Sequence, residues 1–107
     1  MCGFVGFIER QRSHASELAT SMADQIRHRG PDDAGVWADP GVGVVLAHRR
    51  LSILDLSPAG HQPMQSASAR FVIAFNGEIY NHLTLRHDLE KQFGSMVWRG
   101  HSDTETM

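Results

Sequence analysis

Residues 1–8, MCGFVGFI, place the only cysteine of the chain directly after Met1, and the rest of the chain is interpreted from this stretch. If Met1 is removed, the Cys2 thiol and a free amino group belong to the same residue. An amino terminus has an ordinary pKa of about 7.7–8.0, so near neutral pH it can accept the thiol proton. Cys2 is therefore a candidate nucleophile that carries its own base. A lone cysteine is, however, more often a small buried apolar residue than a nucleophile.

The composition indicates one modest domain and excludes several classes of function. The 107 residues contain ten Lys and Arg and twelve Asp and Glu, and the net charge of −2 includes no basic block that would bind nucleic acid. One cysteine forms no internal disulfide, and no apolar run is long enough to span a membrane. His82 and His87 are five positions apart and therefore lie on different faces of a helix, so no metal site is expected. We therefore expect a cytoplasmic protein.

The first part of the chain predicts a strand followed by a helix. Residues 3–8 are apolar and contain two glycines, as in a buried strand that another backbone approaches closely. Residues 13–29 predict an amphipathic helix with Ser13 as its N-cap, and Gly30 and Pro31 end it. The apolar stripe of this helix repeats every four residues and consists of Leu18, Met22 and Ile26.

Two hairpins are predicted next, with an ordered loop at residues 51–63 between them. Pro40 and Gly41 form turns readily, so residues 39–41 predict the first turn. Asn-Gly between two extended runs is a strong hairpin signal, so residues 76–77 predict the second turn. The predicted strands are residues 35–38, 42–48, 71–75 and 78–80.

The last part of the chain predicts a second helix from Asn81, its N-cap, to Phe93, with Gly94 ending it. The predicted buried stripe of this helix consists of Leu85, Leu89 and Phe93, and residues 96–99 are a candidate strand. The predicted order of strand, helix, several strands, helix and strand indicates an α+β fold built on antiparallel sheet. This pattern has no evident end at Met107, so we expect more of the domain to follow.

Four separated stretches occur in order along the chain: MCGFVG at 1–6, RHRGPD at 27–32, AHRRLSI at 47–53 and FNGEIYN at 75–81. Together they closely resemble the glutaminase domain of class II glutamine amidotransferases. Within that class they resemble the asparagine synthetase branch, in which the RGPD, RLSI and NGEIYN wordings are typical. The resemblance covers essentially the whole chain.

The resemblance implies an N-terminal nucleophile hydrolase fold, which is an αββα sandwich of two stacked antiparallel sheets. It also implies that residues 1–107 are the N-terminal portion of a glutamine amidotransferase type 2 domain, with the remainder and a synthetase domain absent. The implied reaction is hydrolysis of glutamine to glutamate and ammonia without a cofactor. ATP and magnesium are expected only in the synthetase domain.

The resemblance also assigns site residues to numbered positions of this sequence. Cys2 would be the nucleophile, and the Asn76 side chain and Gly77 N–H would form the oxyanion hole, because a sharp turn can direct both donors to one point. The other implied residues bind substrate. Arg50 would bind the glutamine carboxylate, Glu78 and Asp103 would face its amino group, and Ile53 would complete the substrate site.

Several alternatives stay open from the sequence. The ammonia acceptor is aspartate by resemblance, but another carboxylate or a sugar is a real alternative. A chain that retains Met1, or that lacks the rest of its domain, could be an inactive fragment or a binding remnant. The expected partners are glutamine and the synthetase domain, with a homodimer left open and no nucleic acid or membrane.

Overall fold

A computed structural model describes residues 1–9 and 13–107. It contains two α-helices and five strands among these residues, together with three short 3-10 turns at Arg27–Arg29, Pro58–Gly60 and Thr104–Thr106. The strands are β1 (Gly3–Ile8), β2 (Asp33–Asp39), β3 (Val44–Arg50), β4 (Met64–Gln65) and β5 (Val72–Ile73), and the helices are α1 (Ala15–Gln25) and α2 (His82–Phe93).

β3 is the centre of a three-stranded antiparallel sheet with β1 on one side and β2 on the other. The predicted hairpin between β2 and β3 is confirmed. Asp39 makes the turn, because its carbonyl accepts the Gly43 N–H at 2.8 Å and its side chain accepts the Gly41 N–H at 2.7 Å. Gly43 has φ +78°, which glycine adopts without strain.

Helix α1 packs on one face of this sheet through alanines. Ala19 and Ala23 are buried against Val45 and Ala47 of β3. The predicted stripe was wrong in part, because Leu18 and Met22 are exposed. Small side chains let the helix approach the sheet closely, and they therefore define the contact face.

The ends of this helix also differ from the prediction. Ser13 is not its N-cap, since α1 begins at Ala15 after His14, which makes no capping bond with its side chain. The helical hydrogen-bonding pattern ends at Gln25, and residues 27–29 form a separate 3-10 turn. Ile26 lies between them and packs beside Gly3, where any added Cβ would be 2.8 Å from the Ile26 Cδ1 atom.

The predicted second hairpin was wrong. Only Val72–Ile73 of the run 71–75 is a strand, it pairs with Met64–Gln65, and residues 78–80 form no strand. Side chains bind the backbone groups that a hairpin ladder would use. The Phe75 N–H donates to Gln62 Oε1 at 2.6 Å and the Ile79 N–H donates to Asp103 Oδ2 at 2.7 Å.

Helix α2 begins and ends where the sequence predicts, after Asn81 and before Gly94, which has φ +86°. Its predicted buried stripe was wrong, because Leu85 and Phe93 are exposed and Leu89 is half-buried. The buried residue of α2 is instead Arg86. Residues 96–99 form no strand.

The prediction of an α+β fold with antiparallel sheets is confirmed. Along β3, Val45, Ala47 and Arg49 face α1, and alternation along the strand turns His48 and Arg50 to the opposite face. That opposite face carries the loop after β3. None of the helices within residues 1–9 and 13–107 has the length and apolar character needed to cross a membrane.

Candidate active site

A cavity of about 300 Å³ lies at the end of β3, on the side of the sheet away from α1. The loop after β3 and the segments 75–80 and 102–104 enclose it. All seven residues that the sequence assigns to the site line this cavity. The three assigned to catalysis are Cys2, Asn76 and Gly77, and the four assigned to substrate binding are Arg50, Ile53, Glu78 and Asp103.

Cys2 is half-buried immediately before β1, and two backbone contacts hold its sulfur. The Leu51 N–H donates to Sγ at 3.3 Å, and the thiol is within 3.6 Å of the Leu51 carbonyl oxygen. Arg29 Nε donates to the Cys2 carbonyl at 3.1 Å, so the turn that follows α1 also fixes this residue. Met1 is 76% exposed and is therefore accessible for removal.

Arg50, the last residue of β3, extends its side chain into the loop and is only 8% exposed. Its guanidinium donates to the Ser57 carbonyl at 3.2 Å and to the Asp55 carbonyl. Gly60 packs directly on the guanidinium, where any Cβ would overlap it. A guanidinium has five N–H donors, so these two bonds leave capacity to bind a carboxylate.

Asn76 and Gly77 lie in a segment without regular secondary structure, and this segment is fixed just before Asn76. His48 Nε2 is 3.1 Å from the Phe75 carbonyl, which only accepts, so Nε2 carries the proton. His48 is fully buried, and burial is the main reason that its pKa lies below the usual 6.5. Gly77 lies against the Phe75 ring, since a Cβ there would be 2.5 Å from the nearest ring carbon.

Asp103 is buried and binds backbone from two segments. Its Oδ2 accepts the Ile79 N–H at 2.7 Å and its Oδ1 accepts the Thr104 N–H at 2.8 Å. Glu78 and Ile53 are exposed at the edge of the cavity. One arginine, Arg50, and three acidic residues, Asp55, Glu78 and Asp103, therefore line the cavity.

The sequence comparisons agree with this arrangement. A family described as the glutamine amidotransferase domain matches residues 1–107. The chain belongs to the glutamine amidotransferase family. The class and branch expected from the four motifs are thus confirmed, because relatives at 36% to 43% identity are named glutamine-hydrolysing asparagine synthetases.

Three relatives illustrate the range of the matches. Asparagine synthetase 1 of Bacillus subtilis (strain 168) is 40% identical over 111 residues, which is 100% of this chain and 17% of the relative. Asparagine synthetase B of Escherichia coli (strain K12) is 43% identical over 80% of this chain and 15% of its own length. The amidase chry2 of Gibberella zeae is 37% identical over 98% of this chain and 17% of its own length. The chain therefore spans about a sixth of the length of these relatives.

The amidotransferase domain also has buried polar residues around the cavity that the sequence did not single out. Asp55 accepts the Ser57 N–H and the His101 N–H, each at 2.8 Å. A hydrogen bond from the Ser57 side chain is the main cause that lowers the pKa of Asp55 to about 2. Asp55 thus joins the loop after β3 to the segment that carries Asp103. No motif signals the bond to His101, because that partner is a backbone group distant in sequence.

Arg86 of α2 is the second such residue, and it organises the segment around Asp103. Its guanidinium donates to the Gly100 carbonyl at 2.8 Å, the Ser102 carbonyl at 2.6 Å and Thr106 Oγ1 at 2.9 Å. It also stacks on the Trp98 ring at 4.2 Å. The sequence alone does not indicate that Arg86 is buried, because its partners lie 14 to 20 residues further along the chain.

Proposed function

We propose that this domain hydrolyses the side-chain amide of glutamine to glutamate and ammonia, with Cys2 as the nucleophile. The observation that carries the proposal is that one cavity is lined by Cys2, a held arginine, an Asn-Gly segment and three acidic residues, of which Glu78 and Asp103 are the two assigned to substrate. The family to which the chain belongs is named for this class of reaction.

In the proposed mechanism the Cys2 thiolate attacks the carbonyl carbon of the glutamine side chain, and a C–S bond forms. The amino group of Cys2, freed by removal of Met1, accepts the thiol proton and gives it to the departing nitrogen. The C–N bond then breaks, ammonia leaves and a glutamyl thioester remains. Water cleaves the thioester, which releases glutamate and restores the thiol.

Charge complementarity supports glutamine as the substrate. Free glutamine carries a carboxylate and an ammonium on the same carbon atom. Arg50 provides a planar donor for the carboxylate, and Asp103 and Glu78 provide negative charge for the ammonium. The assignment of the two ends to these residues, and of Ile53 to the apolar stem, stays a prediction.

The developing negative charge on the attacked oxygen needs donors that are already in place. The Asn76 side chain and the Gly77 N–H are the proposed donors, and both belong to the segment fixed through Phe75. Donors that need no reorganisation stabilise the tetrahedral intermediate more than mobile ones.

The names of the relatives support a synthetase partner for the ammonia. We propose aspartate as the acceptor, with ATP and magnesium bound by a synthetase domain beyond this chain. Within residues 1–9 and 13–107 no group of three or more His, Cys, Asp or Glu side chains is arranged to hold a metal ion. We also propose a cytoplasmic location, and a homodimer stays an open prediction.

A second acceptor class is favoured by one specific observation. The relative from Gibberella zeae is named an amidase and matches 98% of this chain at 37% identity. The domain thus also occurs in a protein that is not named an asparagine synthetase, and this keeps a sugar, or a carboxylate other than aspartate, as the alternative acceptor. An assay of the intact protein with aspartate, other carboxylates or sugars as the ammonia acceptor distinguishes these alternatives.

The proposed glutaminase is tested by the intact mass of the protein and by its reaction with a diazoketone analogue of glutamine. We expect loss of the Met1 mass, one adduct on Cys2 and release of ammonia from glutamine. A matched diazoketone without the α-carboxylate should label Cys2 more slowly. Retained Met1 together with an unlabelled Cys2 would support the alternative of an inactive binding remnant.

A further inference from the structure

Gln62 connects the segment of the proposed oxyanion hole to the segment that carries Asp103. Its side chain is buried, with 6% of the residue exposed. Oε1 accepts the Phe75 N–H at 2.6 Å, and Nε2 donates to Thr104 Oγ1 at 3.3 Å. Phe75 directly precedes Asn76, and Thr104 directly follows Asp103.

His48 completes a clamp on Phe75 from the other side. Its Nε2 atom donates to the Phe75 carbonyl at 3.1 Å, while Gln62 accepts from the Phe75 N–H. Both backbone polar groups of Phe75 are therefore bound to buried side chains. The carbonyl of Phe75 belongs to the peptide group whose nitrogen is that of Asn76, so the clamp fixes where Asn76 begins.

We infer that Gln62 is a positioning residue for the oxyanion hole of the proposed glutamine hydrolysis. The inference rests on the proposed function and names a residue that acts through Phe75. The Asn76 side chain and the Gly77 N–H must converge on one oxygen, and an error of about 1 Å in such a geometry can cost about 100-fold in rate. Because β5 ends at Ile73, the sheet does not fix this segment and side chains must do so.

A buried glutamine could instead serve only to satisfy polar groups in the interior. That role would lower stability on substitution but would leave each folded molecule equally fast. The positioning role predicts a lower kcat with little change in the KM for glutamine, because Gln62 binds neither Arg50 nor Asp103. Backbone carbonyl groups hold Arg50, and backbone N–H groups hold Asp103. The two roles therefore differ in kcat per active site.

The experiment compares Gln62→Met and Gln62→Glu in the intact protein, with kcat normalised to the Cys2 sites that the diazoketone analogue titrates. Gln62→Met has no acceptor for the Phe75 N–H. Gln62→Glu keeps an oxygen there, and the Thr104 hydroxyl can donate to its second oxygen. The control is Gln92→Met, which changes an exposed glutamine of α2 to a residue of similar helix propensity.

We expect Gln62→Met to lower kcat by about 10- to 100-fold with KM within about threefold, and Gln62→Glu to recover most of the loss. Hydrogen exchange of the Phe75 amide should be at least about tenfold faster in Gln62→Met, relative to the Ala47 amide in the centre of β3. An unchanged kcat per titrated site, or equal losses in the two variants, would overturn the positioning role.

The exchange measurement separates this inference from the proposed function. A parent protein without glutaminase activity contradicts the proposed function. The exchange rate of the Phe75 amide in Gln62→Met then still shows whether Gln62 fixes the segment. Unchanged Phe75 exchange in Gln62→Met overturns the clamp whatever the activity.

Discussion

The Leu51 N–H donates to the Cys2 sulfur at 3.3 Å, and this contact joins the start of β1 to the end of β3. The register that pairs Gly3 with Arg49 produces it, because the residue before β1 must then lie beside the residues that end β3. The same register places Arg50 at the cavity next to Cys2. The spacing between the proposed nucleophile and the proposed carboxylate site is therefore set by sheet pairing.

Replacing Asn76 tests the oxyanion hole. Asn76→Ala removes the side-chain donor, so kcat should fall by about 100- to 1000-fold, measured as ammonia released from glutamine. Asn81→Ala is the matched control, because Asn81 makes no capping bond with its side chain. A loss below about tenfold in Asn76→Ala would argue that the charge is stabilised elsewhere.

Replacing Arg50 tests substrate binding. Arg50→Lys keeps the positive charge but loses the planar pair of donors, so the KM for glutamine should rise by about tenfold or more while kcat changes less. The control is Arg49→Lys, whose parent side chain pairs with Asp24 on the α1 face of the sheet. Equal KM values for Arg50→Lys and the parent would contradict the carboxylate assignment.

Asp55 should make the stability of the domain sensitive to acid. Its pKa is about 2 in the folded protein and 3.8 ordinarily, so the unfolded chain binds the proton more tightly. The stabilisation from the ionised group is therefore fully present above about pH 4 and is lost as the pH falls through about 2. The shift corresponds to about 2 kcal/mol.

Denaturant unfolding at several pH values measures this effect. The difference in unfolding free energy between the parent and Asp55→Asn should shrink by about 2 kcal/mol from pH 5 to pH 2. Asp88→Asn changes an exposed residue of α2 and should stay within about 0.5 kcal/mol of the parent. If the difference in unfolding free energy between the parent and Asp55→Asn does not depend on pH, the Asp55 carboxylate is not selectively stabilised in the folded protein.

Local signals predicted much of the fold. Pro40 and Gly41 fix a turn through contacts within a few residues, and Gly94 ends α2 at a positive φ, so both features were predicted from the sequence. The family motifs also assigned Cys2, Arg50 and Asn76 to one site, and these residues line one cavity, although their roles stay predictions.

The errors came from contacts between residues distant in sequence. Asn76-Gly77 has the composition of a hairpin turn, but Gln62 and Asp103 bind the backbone on either side of it. Apolar spacing predicted that leucines of α1 and α2 are buried, whereas the buried positions are Ala19 and Ala23 of α1 and Arg86 of α2. Periodicity identifies a helix but does not show which neighbour covers it.

The central claim is that Cys2 is the nucleophile, and the glutaminase activity of Cys2→Ala in the intact protein tests it most directly. Ammonia release from glutamine and intact mass should be measured together, so that removal of Met1 is verified in the parent and the variant. We expect normal folding, Met1 removed in both proteins and no ammonia release above background in Cys2→Ala. Glutamine turnover by Cys2→Ala at a rate comparable to that of the parent would contradict the mechanism.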